Sequence, residues 1–278
     1  MVQRKSGILG LALLIGAGCT RDDEPVHLAA PPPPLPSTTS QAASTNRVRG
    51  EWIERIELPG GHHGFVTPPV GAVDRRPIVV AIHGAVDDPG LICGAWRIIT
   101  DVYPFVVCPA GTALGGGRFS WPSTDQITKR VREAIDAVET KYPDHVVAGA
   151  PVLYVAFSQG ATMAGPALAT ESTRLSRAVL SEGAYHTFED ATLARRFAVG
   201  GGERVLYTCS QPGCSFGFAG SRAGLERAGV AARVLDCGPH GHAMPPPVRA
   251  AIHDALPWVI EGMPGWEGYA SAPKLAEH

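Results

Sequence analysis

The sequence predicts an α/β fold: a three-layer αβα sandwich built around a mostly parallel sheet. Strand and helix signals alternate along the chain from Gly50 onward. Several of the strand segments are unbroken aliphatic runs, which are typical of strands covered by helices on both faces. The chain has 278 residues, no internal repeat and no change of composition after residue 46, so we expect one folded domain at residues 47–278.

The strands follow from the hydrophobic pattern. Residues 51–58 alternate between polar and apolar, as an antiparallel edge strand does, and residues 64–69 are the expected partner. The other predicted strands are at 77–84, 104–111, 152–157, 177–183, 204–210 and 232–238.

The helices are predicted between those strands. The clearest is at 123–142, where Ile127, Val131 and Ile135 recur every four residues and therefore share one face. Ser123 or Thr124 can cap its first turn. The other predicted helices are at 93–102, 159–169, 189–198, 221–228 and 248–260.

The first 19 residues have the layout of a bacterial export signal. Arg4 and Lys5 precede an apolar run at 8–15, which is too short for a permanent membrane span. The end of this segment at Cys19 resembles a lipoprotein signal, in which the cysteine becomes lipidated, although Gly16 stands where a branched aliphatic residue is usual. Lipidation, ordinary cleavage and an uncleaved anchor are the alternatives. The first two put the mature chain at the cell envelope, in the periplasm or outside the cell.

Residues 20–46 are predicted to be a disordered linker rich in proline, serine and threonine. The run from Pro31 to Pro34 favours extended polyproline, and the part that follows has no hydrophobic periodicity. With a lipid anchor at Cys19, such a linker would hold the folded domain away from a membrane surface.

The five cysteines of the predicted domain agree with export to an oxidising compartment. We expect the disulfides Cys93–Cys108 and Cys209–Cys214. A Cys209–Cys237 pair is the competing arrangement, because both residues end neighbouring predicted strands, and one thiol is left over in either case. The spacing lacks the paired CxxC hooks of zinc sites, so no metal is expected.

The charge of the chain gives no sign of a nucleic-acid partner. The formal net charge is −2, and the Lys and Arg residues are scattered rather than gathered in one block. We therefore expect no nucleic-acid partner.

One short stretch carries the chemistry. In PVLYVAFSQGATMAG, at 151–165, a buried-looking strand ends at Ser158 among small residues. Ligands of open parallel sheets bind beyond the carboxyl ends of the strands. A sharp turn from strand to helix would expose the hydroxyl there, and it needs neighbours as small as Ala156, Gly160 and Ala161. The alternative, a serine that only caps the following helix, does not explain the small flanks.

The pentapeptide AFSQG resembles the G-x-S-x-G nucleophile elbow of the α/β-hydrolase superfamily, with Ala156 in place of the first glycine. The similarity extends to the order of elements across the predicted domain. Within the superfamily, the chain is most similar to the branch of esterases and dienelactone hydrolases. The resemblance implies the α/β-hydrolase fold and a serine hydrolase with a Ser-His-acid triad that needs no cofactor.

The resemblance also implies a histidine after the last strand. The segment LDCGPHGHAMPP supplies His240 and His242 there. His242 is favoured because a glycine precedes it and small or apolar residues follow, as in the family's turn. Met244 and the prolines are expected to wall the pocket, and an ordinary exposed loop histidine is the alternative reading.

The oxyanion site needs two backbone N–H groups that point at the same oxygen. Gln159 follows the nucleophile and supplies one. The resemblance implies that Ala85, after the HG dipeptide of HGAVDDPG, supplies the other. The Gly-rich segment at 110–122 is expected to border the same pocket, where Phe119 and Trp121 either line the pocket or pack under a loop.

The acid is the point at which the sequence departs from the family pattern. The family usually carries Asp or Glu after the strand predicted at 204–210, but the loop at 210–221 has no carboxylate. Glu182, after the preceding strand, and Asp236, near the end of the last strand, are the substitutes, and the lack of any acid is the third alternative. In a serine protease, loss of the acid's function lowers the rate about 10⁴-fold.

The sequence therefore predicts an exported serine hydrolase that acts on a small-molecule carboxylic ester. Ser158 is the expected nucleophile, His242 the base and Glu182 the acid. The N–H groups of Ala85 and Gln159 are expected to bind the oxyanion. The alternative is a non-catalytic or weakly active binding protein with the same fold at the cell envelope.

Overall fold

The computed structural model of the chain describes residues 47–275. The predicted export signal, its Cys19 and the predicted linker lie outside these residues and stay predictions. Within the described range, no helix combines the length and the apolar character that a membrane span requires.

The described residues form ten strands and eight α-helices, followed by a short 3-10 turn at Tyr269–Ser271. The strands are β1 (Glu54–Leu58), β2 (His62–Thr67), β3 (Ile78–Ile82), β4 (Phe105–Pro109), β5 (Thr112–Gly115), β6 (Arg118–Ser120), β7 (Leu153–Phe157), β8 (Arg177–Ser181), β9 (Arg204–Cys209) and β10 (Ala231–Asp236). The helices are α1 (Pro89–Ile99), α2 (Thr124–Lys141), α3 (Gln159–Thr162), α4 (Ala164–Thr170), α5 (Ala191–Val199), α6 (Cys214–Gly217), α7 (Ala219–Arg227) and α8 (Pro246–Ile260).

Eight of these strands form one sheet in the order β1-β2-β4-β3-β7-β8-β9-β10. β2 pairs antiparallel with both β1 and β4, and every other neighbouring pair is parallel. The predicted mostly parallel sheet is confirmed. Because the carboxyl ends of the parallel strands share one edge, the loops that follow β3, β7, β8, β9 and β10 are brought together there.

Two apolar cores cover the two faces of the sheet. Successive side chains along β3 and β7 alternate between the faces, as a strand requires. Val79 and Val155 belong to the core formed with α1 and α8. Val80 and Tyr154 belong to the core on the opposite face, formed with α2, α4, α5 and α7. This arrangement is the predicted three-layer sandwich.

The predicted start of the first helix, at residue 93, is wrong by four residues. α1 begins at Pro89, because the side chain of Asp88 accepts a hydrogen bond from the N–H of Gly90 and proline suits the first helical position. The helix ends at Ile99, before Asp101 and Val102, which have positive φ angles. Aliphatic spacing alone does not reveal these local bonds.

Two further elements differ from the predictions. The helix predicted at 159–169 is divided at Met163 into α3 and α4. The Gly-rich segment after β4, which has no readable period, forms the antiparallel hairpin of β5 and β6. This hairpin is joined to the loop after β3 by a bridge between Asp87 and Phe119.

Both expected disulfides are present. Cys93–Cys108 joins α1 to β4, and Cys209–Cys214 joins the end of β9 to α6. Cys237 is the free thiol of the described chain. Burial raises the pKa of this thiol to about 11, so it is protonated at neutral pH.

The last described residues are tied to the end of α1 through Asp101. Its buried carboxylate lies 2.9 Å from Nε2 of His253 and accepts a hydrogen bond of 3.0 Å from the hydroxyl of Tyr269. It also lies 3.1 Å from Nζ of Lys274 and accepts a hydrogen bond of 2.9 Å from the backbone N–H of Leu275. These contacts hold the segment at 269–275 against the fold.

Candidate active site

Ser158 lies at the turn between β7 and α3 in a backbone conformation that few residues adopt. Its φ angle is 51° and its ψ angle is −115°. Its side chain makes no capping hydrogen bond to α3, so helix capping does not account for the serine. The turn presents the hydroxyl at the carboxyl edge of the sheet, as a nucleophile elbow does.

The small residues around Ser158 are required by close packing. A Cβ atom on Gly160 would lie 2.7 Å from both the carbonyl oxygen of His83 and Cγ2 of Ile82. A Cβ atom on Gly183 would lie 2.4 Å from the carbonyl oxygen of Ser158. Both sites exclude any larger residue because the facing atoms include a backbone carbonyl oxygen that cannot move aside easily.

His242 reaches Ser158 from the loop after β10. Its Nε2 atom lies 2.8 Å from the Ser158 hydroxyl oxygen, although the two residues are 84 positions apart. The ring packs beside Phe157, with 5.0 Å between ring centroids, and the His242 side chain is 45% exposed. An exposed ring of this kind is accessible both to solvent and to a substrate.

Glu182 lies behind His242, in the loop after β8. Its side chain is 2% exposed, and its Oε2 atom is 3.6 Å from Nδ1 of His242. The Oε1 atom accepts a hydrogen bond from the backbone N–H of Ser210, and the Ser210 hydroxyl lies 2.7 Å away. The same hydroxyl is 2.6 Å from the carbonyl oxygen of Gly241, so Ser210 connects the acid to the loop of His242.

The two predicted oxyanion donors lie on adjacent loops. A Cβ atom on Gly84 would be 3.1 Å from Cβ of Ser158, so the loop after β3 borders the serine directly. The N–H of Gly84 donates to Asp87, and that of Val86 donates to Ser120. The N–H groups of Ala85 and Gln159 donate no hydrogen bond within residues 47–275. They are therefore free to bind an oxygen of a substrate.

The solved structures similar to this chain include esterases and a serine hydrolase. FphF, a fluorophosphonate-binding serine hydrolase of Staphylococcus aureus, has a TM-score of 0.56 and 14% identity, over 75% of this chain and 97% of that one. The Pyrobaculum calidifontis esterase has a TM-score of 0.54 and 14% identity, over 77% and 86%. TT1662 from Thermus thermophilus has a TM-score of 0.55 and 16% identity, over 75% and 98%. The chain has the α/β-hydrolase fold.

No protein-family model and no curated protein matches the sequence. The assignment of the α/β-hydrolase fold therefore depends on structural similarity. The activity and the substrate are argued from the geometry of the site.

Gln211 lies in the loop after β9 of this α/β-hydrolase fold, the loop in which the sequence resemblance led us to look for an acid. Its Nε2 atom lies 2.9 Å from Oε2 of Glu182 and 3.1 Å from Nδ1 of His242. Sequence reasoning missed both Gln211 and Ser210. Their position directly after β9, at the same sheet edge as Ser158, was the available signal.

The alternative acid and base candidates lie apart from this contact. Asp236 is exposed, and its carboxylate accepts hydrogen bonds from the hydroxyl of Ser215 and the backbone N–H of Gly238, at 3.2 and 3.0 Å. His240 is exposed, and its backbone N–H donates to the carbonyl oxygen of Ser210. Neither side chain is within hydrogen-bond distance of Ser158 or His242 in the described structure.

Trp121 packs against His83, the first residue of the His83–Gly84 dipeptide in the loop after β3. The His83 ring is fully buried, with Nδ1 2.7 Å from the carbonyl oxygen of Gly84, and Nε2 accepts a hydrogen bond from the N–H of Gly111. Burial lowers the pKa of His83, which favours the neutral ring that these contacts require. Trp121 stacks on this ring and donates its indole N–H to the carbonyl oxygen of His83.

Trp121 is also held by the residue after the nucleophile. The side-chain amide of Gln159 accepts from the N–H of Trp121 and donates to its carbonyl oxygen. Trp121 is 2% exposed, so it packs under the loop and does not line the pocket. Phe119 contacts the ring edges of His63 and His83.

A groove of about 440 Å³ adjoins the exposed ring of His242. Its walls are mainly apolar and include Leu91, Phe157 and Met244, and Arg249 is also part of the lining. A larger groove of about 900 Å³ lies beside α8 and is lined by none of the candidate active-site residues. No group of three or more His, Cys, Asp or Glu side chains within residues 47–275 is arranged to hold a metal ion.

Proposed function

We propose that this protein is an exported serine hydrolase that cleaves carboxylic esters. The observation that carries the proposal is the contact of 2.8 Å between the Ser158 hydroxyl and Nε2 of His242, made at an elbow with a φ angle of 51°. A nucleophile and a base within hydrogen-bond distance are the minimum for covalent acyl transfer.

In the proposed reaction, Ser158 Oγ attacks the ester carbonyl while Nε2 of His242 takes the hydroxyl proton. The carbonyl oxygen becomes an oxyanion, which the N–H groups of Ala85 and Gln159 bind. The histidine then gives its proton to the leaving alcohol, and an acyl-enzyme forms. Water, activated by the same histidine, hydrolyses the acyl-enzyme and releases the acid.

Glu182 is the proposed acid of this triad. A buried carboxylate facing Nδ1 stabilises the imidazolium that forms as the serine proton is transferred. Its hydrogen bonds with Ser210 hold the carboxylate in place behind His242.

The proposed substrate is a small-molecule ester. The groove beside His242 can receive an apolar group of the ester, because Leu91, Phe157 and Met244 form its walls. The groove is small, and His242 is open to solvent, which fits a substrate that binds without a large closing lid.

We also propose that the protein acts outside the cytoplasm, with Cys19 as a lipid anchor or at a cleavage site. The disulfides Cys93–Cys108 and Cys209–Cys214 support this location, since such bonds persist in oxidising compartments.

A fluorophosphonate probe tests the proposed function. We expect the wild-type protein to become covalently labelled and to hydrolyse p-nitrophenyl acetate, and Ser158→Ala to do neither. Ser123 is a matched control because it caps α2 through its side chain. Ser123→Ala is expected to lose about 1 kcal/mol of stability and to keep both reactions. Equal labelling of the wild type and Ser158→Ala would contradict the proposal.

Glu182→Gln tests the acid with little change of shape. The amide would present a donor instead of an acceptor to His242, so we expect kcat to fall by orders of magnitude, toward the roughly 10⁴-fold loss seen for the equivalent change in a serine protease. Unchanged turnover would remove Glu182 from the mechanism.

The second candidate is a binding protein that uses the same fold with little or no catalysis. The 3.6 Å separation between Glu182 and His242, with Gln211 between them, favours this alternative. It predicts a folded wild-type protein that is not labelled by the probe.

A further inference from the structure

The side-chain amide of Gln211 connects the proposed acid to the proposed base. Its Nε2 atom is 2.9 Å from Oε2 of Glu182 and 3.1 Å from Nδ1 of His242, whereas those two atoms are 3.6 Å apart. Hydrogen bonds from N–H to oxygen are about 2.7–3.2 Å long. Gln211 is therefore within hydrogen-bond range of both partners, and the partners are outside that range of each other.

The carboxylate determines which end of the amide faces the histidine. Glu182 is buried and accepts hydrogen bonds from Ser210, so it is an acceptor in this site. An acceptor requires a donor opposite, and only the NH₂ end of the Gln211 amide can donate. The same NH₂ group then faces Nδ1 of His242.

This arrangement decides the position of the imidazole proton. A neutral imidazole has one nitrogen that donates and one that accepts. If Nδ1 of His242 accepts from Gln211, the proton is on Nε2, the nitrogen that contacts Ser158. In that tautomer Nε2 donates to the serine oxygen and cannot take the serine proton.

We propose that Gln211 is a positioning residue that holds His242 in the tautomer protonated at Nε2 in the resting protein. Its catalytic consequence rests on the proposed function: turnover requires the proton to move from Nε2 to Nδ1, where it faces Oε2 of Glu182. The change moves one proton and no net charge. Solvent can carry that proton because the His242 side chain is 45% exposed.

The tautomer is measured directly by long-range ¹H–¹⁵N correlation NMR on protein labelled at histidine, with His242→Ala identifying the signal. We expect the wild type at neutral pH to carry the proton on Nε2. Gln211→Met keeps the length of the side chain and removes both donors, so we expect its proton on Nδ1. A wild type protonated at Nδ1, or a tautomer that is the same in Gln211→Met, overturns the proposal. The wild-type measurement is decisive even if the variant does not fold.

The second test measures kcat and KM of Gln211→Met for the hydrolysis of p-nitrophenyl acetate. We expect kcat of Gln211→Met to rise roughly two- to tenfold, the range that one hydrogen bond corresponds to, with KM unchanged. A fall in kcat without a change of tautomer would indicate a purely structural role and reject the proposal.

Ser215→Ala is the matched control, because Ser215 follows in α6, bonds to Asp236 and touches neither Glu182 nor His242. We expect it to keep the wild-type tautomer and rate. A wild-type protein that shows neither labelling nor turnover would refute the proposed function. The tautomer measurement would still test the role of Gln211, because it does not require turnover.

Discussion

Ser158 keeps an unfavourable backbone conformation because its neighbours leave it no alternative. A φ angle of 51° with a ψ angle of −115° is sparsely populated for a non-glycine residue and costs on the order of 1–3 kcal/mol. The facing backbone of His83 and the glycines on either side of the turn hold this conformation. The packing that imposes this conformation keeps the hydroxyl directed at His242.

Gly160→Ala should disrupt this turn. The added Cβ atom would lie 2.7 Å from the carbonyl oxygen of His83, so either the elbow or the oxyanion loop must move. We expect kcat/KM to fall roughly 100-fold, as for displacements of about 1 Å in an active site. We expect the free energy of unfolding to fall by about 1–3 kcal/mol. Steady-state kinetics and urea unfolding measure the two effects.

Gly220→Ala provides the comparison. Its Cβ atom would meet the carboxylate of Glu189, the end of an exposed side chain that can move away. Since Gly220 lies within α7, alanine is expected to leave the rate unchanged and to raise stability by up to about 1 kcal/mol. If Gly160→Ala and Gly220→Ala had the same kcat/KM and the same free energy of unfolding, the close approach of residue 160 to the His83 carbonyl oxygen would be unimportant.

At the level of single residues, the sequence predicts the parts of the site that have local signatures. Ser158 stands among tiny residues after a buried strand, and His242 stands after the last predicted strand. Gln211 has only its position directly after β9 as a signal, because its role depends on where three separate loops place their side chains. No pattern in one loop contains that information.

Among the elements, the short loop that follows β9 contacts both the proposed acid and the proposed base. Cys209 and Cys214 close it, and it carries Ser210 and Gln211, which contact the carboxylate of Glu182. The disulfide therefore restrains the residues that hold the proposed acid.

Removal of this disulfide in Cys209→Ala/Cys214→Ala should affect turnover. We expect kcat to fall about tenfold or more, approaching the 10⁴-fold limit for complete loss of the acid. A loop this short should contribute only about 2 kcal/mol to stability. Wild-type kcat in this double variant would contradict the expected role of the loop.

Cys93→Ala/Cys108→Ala is the control, since this disulfide joins α1 to β4 away from the Ser158–His242 contact. Its 15-residue separation corresponds to a loss of about 3 kcal/mol of stability. We expect kcat to stay at the wild-type level at temperatures where the variant is folded.

The elements that the sequence mispredicts are those set by tertiary contacts. The hairpin of β5 and β6 is connected to the loop after β3 by the bridge between Asp87 and Phe119, a contact between distant segments. The start of α1 depends on the capping bond from Gly90 to Asp88, which the aliphatic spacing does not reveal. The covered strands were predictable because burial on both faces leaves a continuous apolar run.

At the scale of the whole molecule, buried tyrosines determine how stability depends on alkaline pH. Burial raises the pKa of Tyr142, Tyr154, Tyr207 and Tyr269 above the usual value of 10.0. Each of them binds its proton more tightly in the folded chain than in the unfolded chain. Their contribution to stability is therefore complete below pH 10 and is lost as pH rises above it.

Tyr154→Phe should stabilise the protein. The Tyr154 hydroxyl is fully buried and has no hydrogen-bond partner within the described structure, so its removal relieves a desolvation penalty. We expect about 1 kcal/mol of added stability at about pH 8, and a smaller loss of stability at about pH 11 than in the wild type. Urea unfolding at the two pH values measures both.

Tyr142→Phe is the matched control. The Tyr142 hydroxyl donates to Glu54 at 3.1 Å, so its removal breaks a bond, and we expect about 1 kcal/mol of lost stability. A Tyr154→Phe variant that is also less stable than the wild type would refute the expected penalty.

The carboxylate of Asp101 anchors the last described residues to the rest of the domain. Trimming the chain before Tyr269 would remove Lys274 and the hydrogen-bond donors Tyr269 and Leu275 from this buried anion. A buried charge that loses its partners typically costs a protein several kcal/mol. Purification handles and truncations at this end therefore have to spare residues 269–275, even though the segment contains little regular secondary structure.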